Sequence, residues 1–383
     1  MEKIGKRIGI LGGGQLGRMM SLAASKLGIS HKILDEGVDF PAASVCPEFY
    51  QGSFKDKQDV LDFATDCDVI TIEIESINLE ACFELQRKGI QVFPQPQVVE
   101  IIKDKGLQKQ FYVENDIPTA PFQLINGLAD LESKINNGEI SFPFIQKLRK
   151  DGYDGKGVKT IHHVDDLEHA FGAPSLVEEK VKIKKEIAII AARSVSGELK
   201  CFPPVEMAFH PTEHLVEYLF APADISDKQV DKATEITKTL VEKLGIVGLL
   251  AVEFFIDEAD QIIVNEVAPR PHNSGHHTIE ANMVSQFEQH LRAIMDLPLG
   301  DTSPVHEAAI MINLLGDKDY SGKSMYIGIE QALEIPGVYP HLYGKSQTKP
   351  YRKMGHVTLV GPNLETLIGR AKKLQNIIKV ISS

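Results

Sequence analysis

Over the first hundred residues, short apolar runs alternate with stretches of helical spacing. Arg7–Leu11 reads as a strand, Gln15–Leu27 carries apolar residues at helical intervals, and His31–Leu34 is a second strand ending at Asp35. Val69–Ile74 repeats the strand pattern with carboxylates at its end, and Gln91–Phe93 follows another helical stretch. This βαβ alternation predicts a parallel sheet. Phe93-Pro94-Gln95-Pro96 interrupts it, and the spacing then predicts one helix over Val98–Asn115. From about Pro118 the texture changes to short β-rich pieces. Phe144–Leu148 and Val158–His162 read as strands around a glycine-rich loop, Asp165–Phe171 as a short helix, and Leu176–Val181 and Glu186–Ala192 as strands, together a small α+β lid. Ala233–Leu244 is an amphipathic helix followed by strands Leu249–Ile256 and Ile262–Val267. The last region has strands at Ala308–Leu315 and Val357–Val360 and a helix over Asn363–Ile378. The fold class is therefore α/β with α+β, divided into segments 1–103, 104–183, 184–301 and 302–383.

The length of 383 residues exceeds what one core usually supports, in keeping with several domains. The formal net charge of −12, from Lys+Arg 41 against Asp+Glu 53, argues against nucleic acid and anionic membranes as partners. Cys46, Cys67, Cys82 and Cys201 show no CxxC spacing and read as reduced, mostly buried thiols of a cytoplasmic protein. No apolar run approaches the ~20 residues that span a bilayer, and Ile8–Leu11 is too short for a signal peptide.

Two glycine loops stand out. Gly12-Gly13-Gly14-Gln15-Leu16-Gly17 fits GxGxxG between a strand and a helix, with Asp35 near the place of a ribose-binding acid. Free N–H groups there would suit a phosphate or ribonucleotide, whereas the plainer reading is glycines for tight βαβ packing. The second loop lies in Lys147-Leu148-Arg149-Lys150-Asp151-Gly152-Tyr153-Asp154-Gly155-Lys156-Gly157-Val158. It lacks the GK[ST] of a Walker loop. Its three glycines in six residues suit a flap over phosphates, with Lys147 and Lys156 supplying charge; a hairpin turn with solvated lysines is the alternative.

Glu253 and Glu266 lie on consecutive strands. With the turn centred on Ala259–Asp260 they face each other, and two like charges in that register call for a cation, for which Mg²⁺ suits the oxygen ligands. An exposed sheet face neutralised by lysines is the competing reading. Beyond the hairpin, Ala268-Pro269-Arg270-Pro271-His272-Asn273-Ser274-Gly275-His276-His277 sets a guanidinium and three imidazoles on a proline-stiffened segment. Arg270 can hold an anion in bidentate fashion and His272 can steer a proton. Lys345, Lys349, Arg352 and Lys353 form a late cationic run, either solvated or a grip on a substrate phosphate.

Taken together, GILGGGQLGRM, TIEIESI, KLRKDGYDGKG, VEEKV, AVEFF, NEVAPRPHNSGHHTIEAN and YRKMGH resemble the N5-carboxyaminoimidazole ribonucleotide synthetases, ATP-grasp ligases of purine biosynthesis. The resemblance covers nearly the whole chain. It implies an ATP-grasp fold with an N-terminal Rossmann-like pre-ATP-grasp domain, a glycine-flap lid and a small C-terminal domain, assembled as a homodimer. It further implies ATP with Mg²⁺ (or Mn²⁺), and bicarbonate and 5-aminoimidazole ribonucleotide as substrates. By this resemblance Lys105, Lys147 and Gly152–Val158 (Gly152, Tyr153, Asp154, Gly155, Lys156, Gly157, Val158) cover the nucleotide phosphates. Glu178, Glu179, Lys180 and Val181 line the adenine, and Glu186 binds the ribose. Glu253 and Glu266 hold the metal beside Asn265. Arg270, His272, Tyr153, Asp154 and Lys156 surround the reacting groups. Gln15, Leu16, Glu75, Lys345, Arg352 and Lys353 face the ribonucleotide. Two departures are visible: Lys105 replaces a usual arginine, and Glu206-Met207-Ala208-Phe209 replaces a segment ending in a nucleotide-side histidine, leaving His210 and His214 both open. Rival readings are a related ATP-grasp enzyme using formate, a biotin carboxylase, and a nicotinamide oxidoreductase built on the first glycine loop.

Overall fold

A computed structural model describes residues 3–37, 39–150, 152, 157–209 and 216–383. The N-terminal unit contains β1 (Ile8–Leu11), α1 (Gln15–Lys26), β2 (His31–Asp35), β3 (Phe49–Gln51), α2 (Lys57–Phe63), β4 (Val69–Ile72), α3 (Leu79–Arg87) and β5 (Gln91–Val92). The strands are all parallel in the order β3-β2-β1-β4-β5. β1, β2 and β4 are buried at every position, as expected of parallel strands covered on both faces.

The stretch expected as one helix is two, α4 (Pro96–Lys103) and α5 (Lys105–Glu114), broken at Asp104. Asp104 sits in extended conformation (φ −108°, ψ 107°), accepts the Gly106 and Leu107 N–H groups, and holds Arg149 through Nε and Nη2, both at 2.8 Å. The capping bond outweighs helix continuation at that residue. The break sets Lys105 at the head of α5.

The lid comprises β6 (Phe122–Ile125), α6 (Leu128–Asn136), β7 (Phe144–Leu148), β8 (Val158–Ile161) and β9 (Ser175–Glu179), an antiparallel sheet in the order β6-β9-β7-β8. The segment expected as a short helix is a 3-10 turn over Val164–His169.

There follow β10 (Ile183–Arg193), β11 (Leu199–Cys201), β12 (Val205–Phe209), β13 (Val216–Ala221), α7 (Asp227–Leu244), β14 (Gly248–Asp257), β15 (Ile262–Ala268), α8 (Thr278–Ala281) and α9 (Gln286–Ile294). The C-terminal stretch adds β16 (Ala308–Leu315), β17 (Gly322–Ile327), α10 (Ile329–Leu333), β18 (Val338–Leu342), β19 (Gln347–Thr348), β20 (Lys353–Gly361), α11 (Leu364–Ile377) and β21 (Lys379–Ser382). One sheet runs through both stretches in the order β15-β14-β10-β12-β13-β16-β20-β18, with β11 on β10. α7 starts at a Ser226/Gln229 capping box, ends at Gly245 in the left-handed region, and packs Ile236 and Leu240 under β10 and β14. α9 lays Phe287, Leu291 and Ile294 against Ile8, Leu16, Met19 and Met20, joining the N-terminal sheet to this core. All four cysteines are free, and burial pushes the Cys67 and Cys82 thiols up to about 12.

Candidate active site

The site begins at the β14–β15 hairpin. Ile256, Phe255 and Phe254 pair with Ile262, Ile263 and Val264; the register then shifts by one, so that Glu253 faces Glu266. The facing pair is as expected, but the uniform register behind that expectation is not. The turn places Asp260 at φ 59° and shifts the hairpin by one, and a β-bulge at Asn265 restores the alignment at the carboxylates. Asn265 and Glu266 are both half-buried between buried Val264 and Val267, so two successive side chains emerge into the cleft.

The two carboxylates are not equivalent. Lys105, from the head of α5, binds Glu266 directly and holds its carboxyl down at about 2. Among the described residues no lysine pairs with Glu253 in this way: burial, then the facing charge of Glu266, pushes it up to about 8. Its neighbour is His272 Nε2, at 3.7 Å. Two oxygen donors facing each other, with a lysine on Glu266 alone, fit a hard divalent cation that would favour the ionised form of Glu253 and take its remaining ligands from water and phosphate.

Opposite the hairpin stands a lysine network. Lys147 Nζ lies 2.7 Å from Glu178 Oε2 and donates to Asn265 Oδ1 at 3.1 Å. Glu178 Oε1 lies 2.6 Å from Lys109, a buried α5 residue that the sequence reading missed because it looks like an ordinary polar helix position. Against burial, which pushes Glu178 up, Lys147 and Lys109 hold it below the usual carboxylate range. Glu178, expected along the adenine, thus spends its carboxylate between two lysines. β9 ends at Glu179, so Lys180 and Val181 fall just beyond the strand, exposed and half-buried respectively. Glu186, on the same face of β10 as Ala188, which pairs with Glu253, is raised to about 7 by burial. Gly152, Gly157 (φ 79°) and Val158 flank the flap; Tyr153, Asp154, Gly155 and Lys156, like His210 and His214, lie outside the described residues.

Arg270 Nε reaches Glu75 Oε1 at 2.8 Å, joining two expected substrate residues from different domains. His272 Nδ1 meets the Ser274 hydroxyl at 3.0 Å and the Ser274 N–H at 3.4 Å, which orients the ring so that Nε2 faces Glu253. Lys345 Nζ donates to Lys353 O at 2.6 Å and lies over the Tyr343 ring, and Arg352 donates to Gln347 O at 2.7 Å. The Lys353 charge reaches both Glu253 and His276, so the cationic run borders the hairpin site.

The first glycine loop differs from its expected role. Gly13 N–H donates to Asp35 Oδ2 at 2.6 Å, and Gly14 and Gly17 N–H donate to Glu73 at 2.9 and 2.7 Å. A Cβ at Gly12 or Gly14 would lie 2.3 Å from the Glu73 side chain. The donors expected to be free for a phosphate are filled by the protein's own carboxylates, which leaves the nicotinamide reading without its phosphate seat. Gln15 and Leu16 follow at the start of α1.

Residues 5–103 match the ribonucleotide synthetase preATP-grasp domain, 110–287 the ATP-grasp domain, and 309–370 the phosphoribosylaminoimidazole carboxylase C-terminal domain. The N5-carboxyaminoimidazole ribonucleotide synthetase from Thermotoga maritima superposes with a TM-score of 0.91 at 43% identity, covering 99% of this chain and 100% of that one. The chain belongs to the N5-carboxyaminoimidazole ribonucleotide synthetase family. A further member of this synthetase family, from Aspergillus clavatus, solved in complex with ADP and 5-aminoimidazole ribonucleotide, is 31% identical with a TM-score of 0.88, covering 98% of each chain. A phosphoribosylaminoimidazole carboxylase from Candida glabrata is 38% identical over 368 residues; the match takes in 93% of this chain and spans 63% of that relative's length. Like other N5-carboxyaminoimidazole ribonucleotide synthetases, the chain is an ATP-grasp enzyme with a preATP-grasp domain. No described helix is long and apolar enough to cross a membrane.

Proposed function

We propose that this chain carboxylates the exocyclic amine of 5-aminoimidazole ribonucleotide to N5-carboxyaminoimidazole ribonucleotide, using ATP and bicarbonate, in purine biosynthesis. The observation that carries this reading is the Glu253–Glu266 pair, with Lys105 on Glu266, Lys147 on the adjoining Asn265, and His272 Nε2 3.7 Å from Glu253. A bicarbonate oxygen attacks the γ-phosphorus, ADP leaves, and the carboxyphosphate formed breaks its C–O bond to give phosphate and CO₂. The amine nitrogen then forms the new C–N bond, and its proton leaves with the phosphate. Magnesium held by Glu253 and Glu266, with Asn265 beside them, would neutralise phosphate charge. Lys105 and Lys147 add fixed positive charge, Glu186 takes the ribose, and Glu178 to Val181 border the base. Tyr153, Asp154 and Lys156 belong to the flap that excludes water from the labile intermediate. Arg270 orients the anion while Glu75 steadies its guanidinium. His272, whose Nε2 faces Glu253, steers a proton. Gln15, Leu16, Lys345, Arg352 and Lys353 hold the ribonucleotide.

The same reading includes a homodimer in the cytoplasm and the four-segment division at 103, 183 and 301. ADP release measured with and without bicarbonate, aminoimidazole ribonucleotide and NAD(H) tests the activity. Release that requires the first two and ignores the third is expected. ADP release indifferent to the ribonucleotide, or NADH turnover, would overturn it.

A further inference from the structure

Gln286, the first residue of α9, is fully buried and has no place in the chemistry above. Its Oε1 accepts the His272 N–H at 2.8 Å, and its Nε2 donates to the His272 carbonyl at 2.7 Å. A backbone N–H can only donate and a carbonyl can only accept, so these two bonds fix the amide orientation without ambiguity. The remaining Nε2 hydrogen points to His276 Nδ1 at 3.0 Å, which must therefore accept, leaving the His276 proton on Nε2. The Gln286 backbone N–H is anchored to Thr278 Oγ1 at 2.9 Å, and a Cβ at Gly275 would lie 2.5 Å from Gln286 Oε1. The loop closes on this amide only because position 275 has no side chain.

His276 in turn packs on His356 at 4.8 Å between ring centroids, and the Tyr343 hydroxyl meets His356 Nδ1 at 3.0 Å. His356 lies three residues after Lys353 on β20. One amide thus clamps the His272 backbone from both sides and passes, through two buried imidazoles, to the strand that carries the ribonucleotide-side cation. Burial keeps both imidazoles neutral, so the connection is packing and hydrogen bonding rather than charge.

We infer that Gln286 is the positioning residue of the site, fixing where His272 stands relative to Lys353. The inference rests on the reading of His272 as a substrate-facing residue. Displacement of a reacting group by about 1 Å costs on the order of a hundredfold in rate. Gln286→Met should therefore lower kcat for carboxylation by at least about tenfold and leave the KM for ATP within about twofold. Gln286→Glu separates positioning from mere folding. Its protonated carboxyl keeps one donor and one acceptor, whereas the ionised form opposes the His272 carbonyl. Its activity relative to wild type should rise as pH falls through the carboxyl pKa, a trend Gln286→Met should not share.

A double-mutant cycle with His272→Ala closes the test: in that background Gln286→Met should cost less than about threefold more. Full additivity, or ATP and ribonucleotide affinities falling together with Tm, would overturn the inference. A readout independent of activity is the His272 ring signal in histidine-labelled protein, assigned through His272→Ala. It should shift in Gln286→Met; an unmoved signal would also overturn the inference. If wild-type protein releases no ribonucleotide-dependent ADP while the signal does shift, the proposed function fails and the clamp stands.

Discussion

Two pairs of carboxylates serve this molecule in opposite ways. Asp35 and Glu73 meet the backbone of the first glycine loop, which supplies three N–H donors. Burial pushes both acids up, and those donors pull them back. Glu253 and Glu266 meet each other, with a lysine on only one of them. The first pair is closed by the protein itself and has nothing left to bind. The second has a lysine on Glu266 alone, and a cation beside Glu253 would favour the ionised carboxylate that burial and Glu266 oppose. The lesson is that a glycine loop and a carboxylate pair are each ambiguous alone; what fills the loop and what faces the pair decide their roles.

The largest expected effect comes from the open pair. Glu266→Gln should cut carboxylation by about a thousandfold, since a Lewis-acid metal contributes several kcal/mol that a neutral amide cannot secure. ADP release across a Mg²⁺ titration measures this, and near-normal rates at ordinary Mg²⁺ would remove Glu266 from the metal site. The closed pair should respond in stability instead. Glu73→Ala orphans the Gly14 and Gly17 N–H groups, at about 1–3 kcal/mol for each buried donor left unmade. Urea unfolding should show the loss, with the Mg²⁺ dependence of the remaining activity unchanged.

Arg352→Glu asks whether the cationic run serves the ribonucleotide rather than the metal side. Loss of a charge-assisted hydrogen bond worth about 1.5–3 kcal/mol should raise the ribonucleotide KM about tenfold or more, with ATP affinity held. Calorimetric titration with each ligand distinguishes the two, and the reverse pattern would assign Arg352 to the nucleotide.

The smallest effect concerns Glu186, a third acid beside the open pair. Its carboxyl is raised to about 7 in the folded protein from 4.5, so folding favours the protonated form. That contribution is fully present below pH 4.5 and is lost as pH rises through about 7. Glu186→Gln should therefore raise Tm at pH 8 by a few degrees and lose that advantage near pH 4.5. An equal Tm difference at both pH values would show that Glu186 is not held up by burial.

The elements were legible where pattern and burial coincide. β1, β2 and β4 are apolar runs covered on both faces, and the sequence contains that information locally. The Glu253–Glu266 pairing was legible from strand spacing, yet the bulge at Asn265 was not, because a one-residue shift at the turn and another beside the carboxylates cancel in the count. The break at Asp104 was missed because apolar spacing continues across it and outweighed the local cap that Asp104 offers to the Gly106 and Leu107 N–H groups. Lys109 and Gln286 look like ordinary polar helix positions; only the tertiary packing buries them against Glu178 and His272. Glu73 stood in a quoted motif, but nothing local says that its carboxylate turns into the glycine loop.

The continuous sheet has one more consequence. β14 and β20 are five strand spacings apart, about 24 Å if the sheet were flat, at about 4.8 Å for each step. The loop after β15 nevertheless closes that distance, with His272 3.7 Å from Glu253 on β14, Asn273 bonded to Asn313 on β16, and His276 4.8 Å from His356 on β20 between ring centroids. The sheet must therefore curl until its two flanks look at each other across a hollow. Register shifts in β10, between β12 and β13, and between β16 and β20 supply local bends of the kind that tighten such curvature. The span between Glu253 and Lys353 is thus a property of the strands that lie between them, and a bulge removed from the middle of the sheet would open the hollow from a distance.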